Sequence, residues 1–217
     1  MTNRVILTSI NEYVDHINKI LLEQILGQIF TYYSFDEAID KSEQSIHEDF
    51  LNSLTSNGIP PHELKLKVNC LVMLLRNINP FEGLCNGTHI ACRNFEKNVI
   101  LAKITSCEYC GKHVFLPRIS FIPLKTNQNA IPFKRTQFPI RPYFAMTINK
   151  AQNQTLDFVG LYLSEPVFGH GQLYVALSRA KTSTSIKVLL KPSNIDNLHN
   201  TCTKNVVYKE ILSFIHP

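Results

Sequence analysis

Two short stretches in the last third of the sequence concentrate the side chains that could do chemistry. The first, Phe144-Ala-Met-Thr-Ile-Asn-Lys-Ala-Gln-Asn-Gln-Thr-Leu156, runs from apolar residues into a succession of donors and acceptors. A parallel strand presents such residues at its C-terminal end, the usual ligand edge of an open α/β sheet, although a solvated polar loop has the same composition. The second, Gly169-His-Gly-Gln-Leu-Tyr-Val-Ala-Leu-Ser-Arg-Ala-Lys181, is a helix pattern in which Leu173, Ala176 and Ala180 can face a sheet. An arginine at the end of a packed helix can clamp a phosphate, because its planar fork matches phosphoryl oxygens and its charge is permanent. It can equally do no more than complement the helix dipole. A third group, Cys107-Glu-Tyr-Cys110 with His113, has two thiols at zinc-ligand spacing, but a fourth ligand would have to come from Cys85 or Cys92. No second CxxC or His pair fixes that ligand, so no metal site is expected. No Cys-His pairing for nucleophilic catalysis is specified either, and His170 reads as the lead into the arginine helix.

The elements that must position these groups follow from pattern. Arg4-Val-Ile-Leu-Thr-Ser9 is a short β-branched run, followed by Val14, Ile17, Leu21 and Leu22 at helical spacing. Ser9 with Glu12 fits a capping box. Residues 31–56 are acidic and polar, with a short helix expected over Ile46–Leu54 and a structural role only. At Asn57-Gly-Ile-Pro-Pro61 the chain must turn. From there the pattern changes to short β-type runs, Lys67–Leu75, His89–Cys92, Val99–Ile104 and Val114–Ile119, broken by turn residues such as Asn86-Gly87. These predict a small barrel or sandwich. After Pro139 strands (Tyr143–Thr147, Val159–Leu163, Ile186–Leu190) alternate with a helix near Gly171–Ala180, which predicts a parallel sheet. The simplest architecture is an α/β domain interrupted by a β module.

The chain has 217 residues, 44% hydrophobic and 18% charged, which excludes a disordered or fibrous protein. Its net charge of +5 conceals an asymmetry: residues 1–65 hold 4 Lys+Arg against 10 Asp+Glu, and residues 66–217 hold 18 against 7. Within Arg93–Lys150 there are 10 basic and 2 acidic residues, interleaved with Phe95, Tyr109, Phe115, Phe121 and Phe133. Lys and Arg can neutralise phosphates while such rings stack on bases, or the rings can be core. The first ten residues lack a signal-peptide pattern and no run approaches a membrane span, so an intracellular protein with free thiols and no membrane partner is expected.

In their order the two chemical stretches resemble the last two motifs of superfamily 1 DNA helicases of the Pif/RecD type, especially the eukaryotic and Helitron-associated Pif-like group. Thr147-Ile-Asn-Lys-Ala-Gln-Asn-Gln-Thr155 is similar to the motif that couples nucleotide state to single-stranded DNA contact. Gln172-Leu-Tyr-Val-Ala-Leu-Ser-Arg179 is similar to the motif whose arginine reaches the γ-phosphate. Gly58-Ile-Pro-Pro-His62, Leu66–Asn77, Asn79-Pro-Phe-Glu-Gly83 and Asn86-Gly-Thr88 resemble the entry of that group into a small SH3-like module, to which Val114–Ile119 also has a counterpart. Ile6-Leu-Thr8 and Asn11 fall where the family's second RecA-like domain begins.

The resemblance implies an α/β fold: a second RecA-like domain of the P-loop NTPase type over residues 1–65 and 138–217, with an SH3-like β module over 66–137 inserted. It implies Arg179 as an arginine finger; Gln172, Tyr174 and Ser178 at the ATP-bearing interdomain surface; and Thr147, Asn149, Lys150, Gln152 and Thr155 toward single-stranded DNA or the coupling path. Ala151 stands where the family usually has Ser and Asn153 where it has Gly; Asn tolerates left-handed backbone, so the turn is expected to survive. The sequence contains no Gly-x-x-x-x-Gly-Lys-Ser/Thr phosphate loop and no acidic pair after an apolar strand to hold magnesium. Both belong to the family's first domain. The expectation is therefore a C-terminal portion of a 5′-to-3′ helicase that uses ATP and Mg²⁺ only when joined to the missing N-terminal helicase domain, inactive alone, and nuclear, or mitochondrial as part of a longer protein. The competing expectation is a non-catalytic nucleic-acid or partner-binding module derived from a helicase or Helitron transposon.

Overall fold

A computed structural model describes residues 4–39, 48–54, 58–106, 108–123, 132–191 and 203–208. In chain order they form β1 (Arg4–Thr8), α1 (Asn11–Gln24), β2 (Phe30–Tyr33), β3 (Phe35–Ala38), α2 (Glu48–Ser53), β4 (Glu63–Leu66), β5 (Leu71–Leu74), β6 (His89–Phe95), β7 (Val99–Ile104) and β8 (His113–Pro117). There follow β9 (Ile119–Phe121), β10 (Phe133–Gln137), β11 (Ile140–Pro142), β12 (Ala145–Thr147), β13 (Phe158–Leu163), α3 (Gln172–Leu177) and β14 (Ile186–Leu190). The chain divides into two units, one running to Leu21 and resuming at Phe144, the other Leu22–Tyr143. No helix among the described residues is long and apolar enough to cross a membrane.

In the first unit four parallel strands are ordered β12-β1-β13-β14, the parallel sheet that the alternating pattern predicts. Their inward residues Val5, Leu7, Val159, Leu161 and Leu163 are buried. Helix α1 buries Val14, Asn18 and Leu22, one face at four-residue spacing. Asn18 is the polar member of that face, and it has a specific task. Because β12 lies at the sheet edge, the Ala145 main chain would be left unpaired. The Asn18 side-chain oxygen accepts from the amides of Phe144 and Ala145 at 3.0 and 2.9 Å, and its amide donates to the Ala145 carbonyl at 3.3 Å.

The second unit is β-rich. Strands β5 to β8 form successive antiparallel pairs, and β11 closes the far side of β5 in a five-stranded sheet. Strict alternation along β7, with Ile100, Ala102 and Ile104 buried, makes this the most legible strand in the sequence. Two expected runs prove to be broken. Lys67–Leu75 is a strand only in its second half: β4 has ended at Leu66, Asn69 takes a left-handed conformation (φ 66°), and β5 begins at Leu71. Val114–Ile119 splits at Arg118 into β8 and β9. His89 is stacked on Tyr143 with ring centroids 3.9 Å apart. Burial lowers the His89 imidazole below its ordinary value and raises the Tyr143 phenol.

Residues 31–56 contain more than the short helix that was expected. β2 pairs with β4, and β3 pairs with β10, so this acidic stretch joins the β unit through its main chain. Arg135 on β10 organises it. Its guanidinium is 1% exposed and grips both Asp36 carboxylate oxygens at 2.6–3.1 Å, then donates to the carbonyls of Leu51, Leu54 and Pro60. A buried charge is tolerated there because a counter-charge and nearly every donor are satisfied. The β-rich unit accordingly spans Leu22–Tyr143, beyond the residues 66–137 that the resemblance implies for the inserted module. Of the interleaved aromatics, Phe95, Phe121 and Phe133 are core, and Tyr109 and Phe115 are exposed.

Candidate functional site

The site is built where β12 ends. After Thr147 the chain makes one 3-10 turn, Ile148–Ala151, with Ile148 and Ala151 fully buried beneath it. Burying those two anchors the turn and turns Asn149, Lys150 and Gln152 outward to solvent; Thr155 is exposed as well. Thr147 is itself buried at 8% exposure, opposite Thr8 in the sheet register. Asn153 adopts φ 64°, the left-handed turn anticipated for an Asn in place of Gly. The Gln154 side chain donates back to the Lys150 carbonyl at 3.3 Å, closing the loop.

Helix α3 packs on that turn. It is shorter than the pattern suggested, six residues rather than ten, and starts after Gly171, which is left-handed at φ 68°. Gln172 is only 4% exposed: its oxygen accepts from the amides of Phe168 and Gly169 at 3.2 and 3.3 Å, while its Nε2 is buried with no hydrogen-bond partner among the described residues. Tyr174 stands 74% exposed, and Ser178 is exposed with its hydroxyl donating to the Val175 carbonyl.

Arg179 joins the two stretches. Its Nε donates to the Val175 carbonyl at 3.0 Å, one Nη to the Gln154 carbonyl at 3.1 Å and the other to the Ser178 hydroxyl at 2.8 Å. The main chain repeats the connection, since the Leu156 amide donates to the Arg179 carbonyl at 2.9 Å and Leu156 bridges Ala180 in parallel. A guanidinium has five N–H donors, so three bonds fix its plane and two donors remain for an anion. Among the described residues no carboxylate forms an ion pair with Arg179, whereas nearby Lys181 is paired with Asp157 at 2.6 Å. The arrangement can therefore present a permanent positive charge to a phosphate while sensing the loop that carries Lys150.

Of the residues singled out in the sequence, Arg179 meets the Thr147–Thr155 loop and bonds Ser178, while Gln172 bonds instead to Phe168 and Gly169 at the start of α3. Sequence reasoning missed the Gln154 carbonyl, which no side-chain pattern reveals, and the contacts of His170, whose Nδ1 accepts from the Tyr208 amide at 2.9 Å while the rings stack at 5.1 Å. The zinc candidate yields little: Cys107 lies outside the described residues, Cys110 is exposed, and no cluster of metal-ligating side chains occurs among the described ones.

The family model "DNA helicase Pif1, 2B domain" matches residues 49–95. ATP-dependent DNA helicase PIF1 of Danio rerio is 30% identical over 177 residues, 81% of this chain and 26% of that protein. The chain thus spans about a quarter of the length of the vertebrate relatives it matches. Among solved structures, Pif1 helicase from Candida albicans superposes with TM-score 0.73 at 23% identity, over 99% of this chain and 49% of that one. Bacteroides Pif1 bound to ssDNA gives 0.67 at 24%, over 97% and 44%. The parallel sheet with its Arg179 junction is accordingly the RecA-like part of that fold and the antiparallel sheet its small β module. With motif order, fold and relatives in agreement, the chain belongs to the Pif1-type helicase family and corresponds to its C-terminal portion.

Proposed function

We propose that this chain is the half of an ATP-dependent 5′-to-3′ DNA helicase that supplies an arginine finger and single-stranded DNA contacts to a partner domain carrying the phosphate loop. The observation that carries the reading is the hydrogen-bonded junction of Arg179 with the Gln154 carbonyl, because it joins a free-donor guanidinium to a polar loop at the C-terminal edge of a parallel sheet. In phosphoryl transfer, charge gathers on the equatorial oxygens, and a positioned guanidinium stabilises it. Arg179 has the donors to spare, and exposed Tyr174 and Ser178 offer the surface that a nucleotide-bearing domain would cover, while buried Gln172 acts through the Phe168–Gly169 turn it holds. Asn149, Lys150, Gln152 and Thr155 are the groups placed to meet a DNA strand, and buried Thr147 acts through the shape of the turn.

ATP and Mg²⁺ would be held mainly by the partner domain, since backbone amides and a lysine in a phosphate loop supply most of the affinity and this sequence has neither. The 217-residue chain alone is expected to leave ATP intact. That a structural neighbour, Bacteroides Pif1, binds single-stranded DNA supports a DNA-binding role in general. The test is to join this chain to a phosphate-loop-bearing first domain of a Pif-type relative and measure DNA-stimulated ATP hydrolysis. Arg179→Ala is expected to lower the rate about 10³-fold or more with DNA affinity little changed. A loss smaller than about tenfold would remove Arg179 from the chemistry.

A further inference from the structure

The β unit contains a pair of thiols that the helicase reading does not use. In the β5–β6 ladder Leu71 stands opposite Ala91 and Val72 opposite Ile90, so the next step sets Cys70 opposite Cys92. Main-chain bonds hold that step: the Cys92 amide donates to the Cys70 carbonyl at 3.1 Å, and the Asn69 amide donates to the Cys92 carbonyl at 2.8 Å. Both side chains are fully buried on the same face. Residues facing each other across antiparallel strands have Cα atoms about 4.5–5.5 Å apart, within the window of about 4.4–6.8 Å that a disulfide spans. That spacing places the two thiols within reach of a disulfide.

We infer that Cys70 and Cys92 form a peroxide-sensitive thiol pair that closes to a cross-strand disulfide. The Cys70 thiolate attacks one oxygen of hydrogen peroxide, breaking the O–O bond and leaving a sulfenic acid while hydroxide departs. The Cys92 sulfur then attacks the Cys70 sulfur, the S–O bond breaks, and the sulfenic oxygen leaves as water with the Cys92 proton. Two thiols are oxidised and one peroxide is reduced to two waters. The contact with Cys92 holds the Cys70 thiol below its usual range, while the contact with Cys70 and burial push the Cys92 thiol up. Both thiols are fully buried, so peroxide, scarcely larger than water, has to reach them through a local opening of the sheet.

The consequence falls on the turn just before the pair. Lys67, three residues before Cys70, is buried and donates to the carbonyls of Glu23 and Ile25 at 3.0 and 2.5 Å, satisfying the end of α1. A Cys70–Cys92 bond ties that turn to β6 and stiffens the support of the helix end.

The test treats the intact 217-residue chain with hydrogen peroxide, then denatures it in an alkylating reagent for mass spectrometry. A Cys70–Cys92 cross-linked peptide, lighter by two hydrogens and released by dithiothreitol, is the expected result, with a melting temperature raised by roughly 5 °C. Alkylation of both cysteines after treatment, or over-oxidation of either to sulfinic acid, overturns the proposal. In Cys92→Ala the stranded Cys70 sulfenic acid should be trapped by a cyclic 1,3-dione, and in Cys70→Ala Cys92 should not be labelled. Labelling of Cys92 instead overturns the assigned order. Should either variant fail to fold, the wild-type cross-link decides alone.

Discussion

Arg135 and Arg179 both aim guanidinium groups at main-chain carbonyls, yet they are built for opposite ends. Arg135 is sealed inside the β unit with a carboxylate on its fork and carbonyls on its remaining donors. Arg179 is half-buried, held by three bonds to neutral groups, and has no acidic partner among the described residues. A buried cation needs its counter-charge to exist at all, whereas a cation that must receive a phosphate has to be held without one. On the function proposed above, the lack of an acidic partner among the described residues is what leaves Arg179 open to a phosphate.

This contrast can be broken most decisively by exchanging what each arginine loses. Arg179→Ala should cost about 10³-fold or more in ATP turnover of a joined two-domain protein and less than about 1 kcal/mol of stability, read by urea denaturation of the isolated chain. Arg135→Ala should do the reverse. Stranding Asp36 in the interior is expected to cost about 3–5 kcal/mol, with the same urea measurement as the check; a mild effect would mean that water reaches the pair.

The two regions differ in their left-handed residues as well. Gly83, at φ 79°, has the Tyr109 ring so close that an added Cβ would overlap it, so Gly83→Ala should destabilise by about 2–3 kcal/mol through strain and displaced packing. Asn153 is left-handed on an exposed loop, and Asn153→Ala should cost only about 1 kcal/mol, with Asn153→Gly near neutral in a thermal melt.

The smallest effect concerns pH. Burial lowers the folded-state pKa of His89 below 6.5, so the folded chain binds fewer protons than the unfolded chain. Stability is then fully present above the unfolded value and declines as pH falls below it, by at most about 1.4 kcal/mol per pH unit. His89→Phe, which keeps a ring against Tyr143, should flatten part of the fall in urea midpoint between neutral and acidic buffer.

What the sequence disclosed was whatever lay in one contiguous stretch. The Thr147–Thr155 loop and the Gln172–Arg179 helix were readable because each occupies consecutive residues, and β7 because its alternation is unbroken. Arg135 and Asp36 were not, since 99 residues separate them and neither stands out among the neighbouring charges. Residues 30–38 escaped as strands because their partners are remote and each strand is only four residues long. The run Lys67–Leu75 hid a left-handed residue at Asn69 that only the backbone conformation exposes. Gln154 contributes a carbonyl oxygen to Arg179, and main-chain atoms have no signature in a list of side chains.

Asn18 has a bearing on association between molecules. An unpaired edge is a template on which another chain can add a strand, and parallel sheets with short outer strands are exposed to that hazard. By occupying the outward groups of Phe144 and Ala145 from within its own helix, this one amide closes β12 to sheet growth. The strand that leads into the Lys150 loop is thereby kept from serving as an aggregation seam.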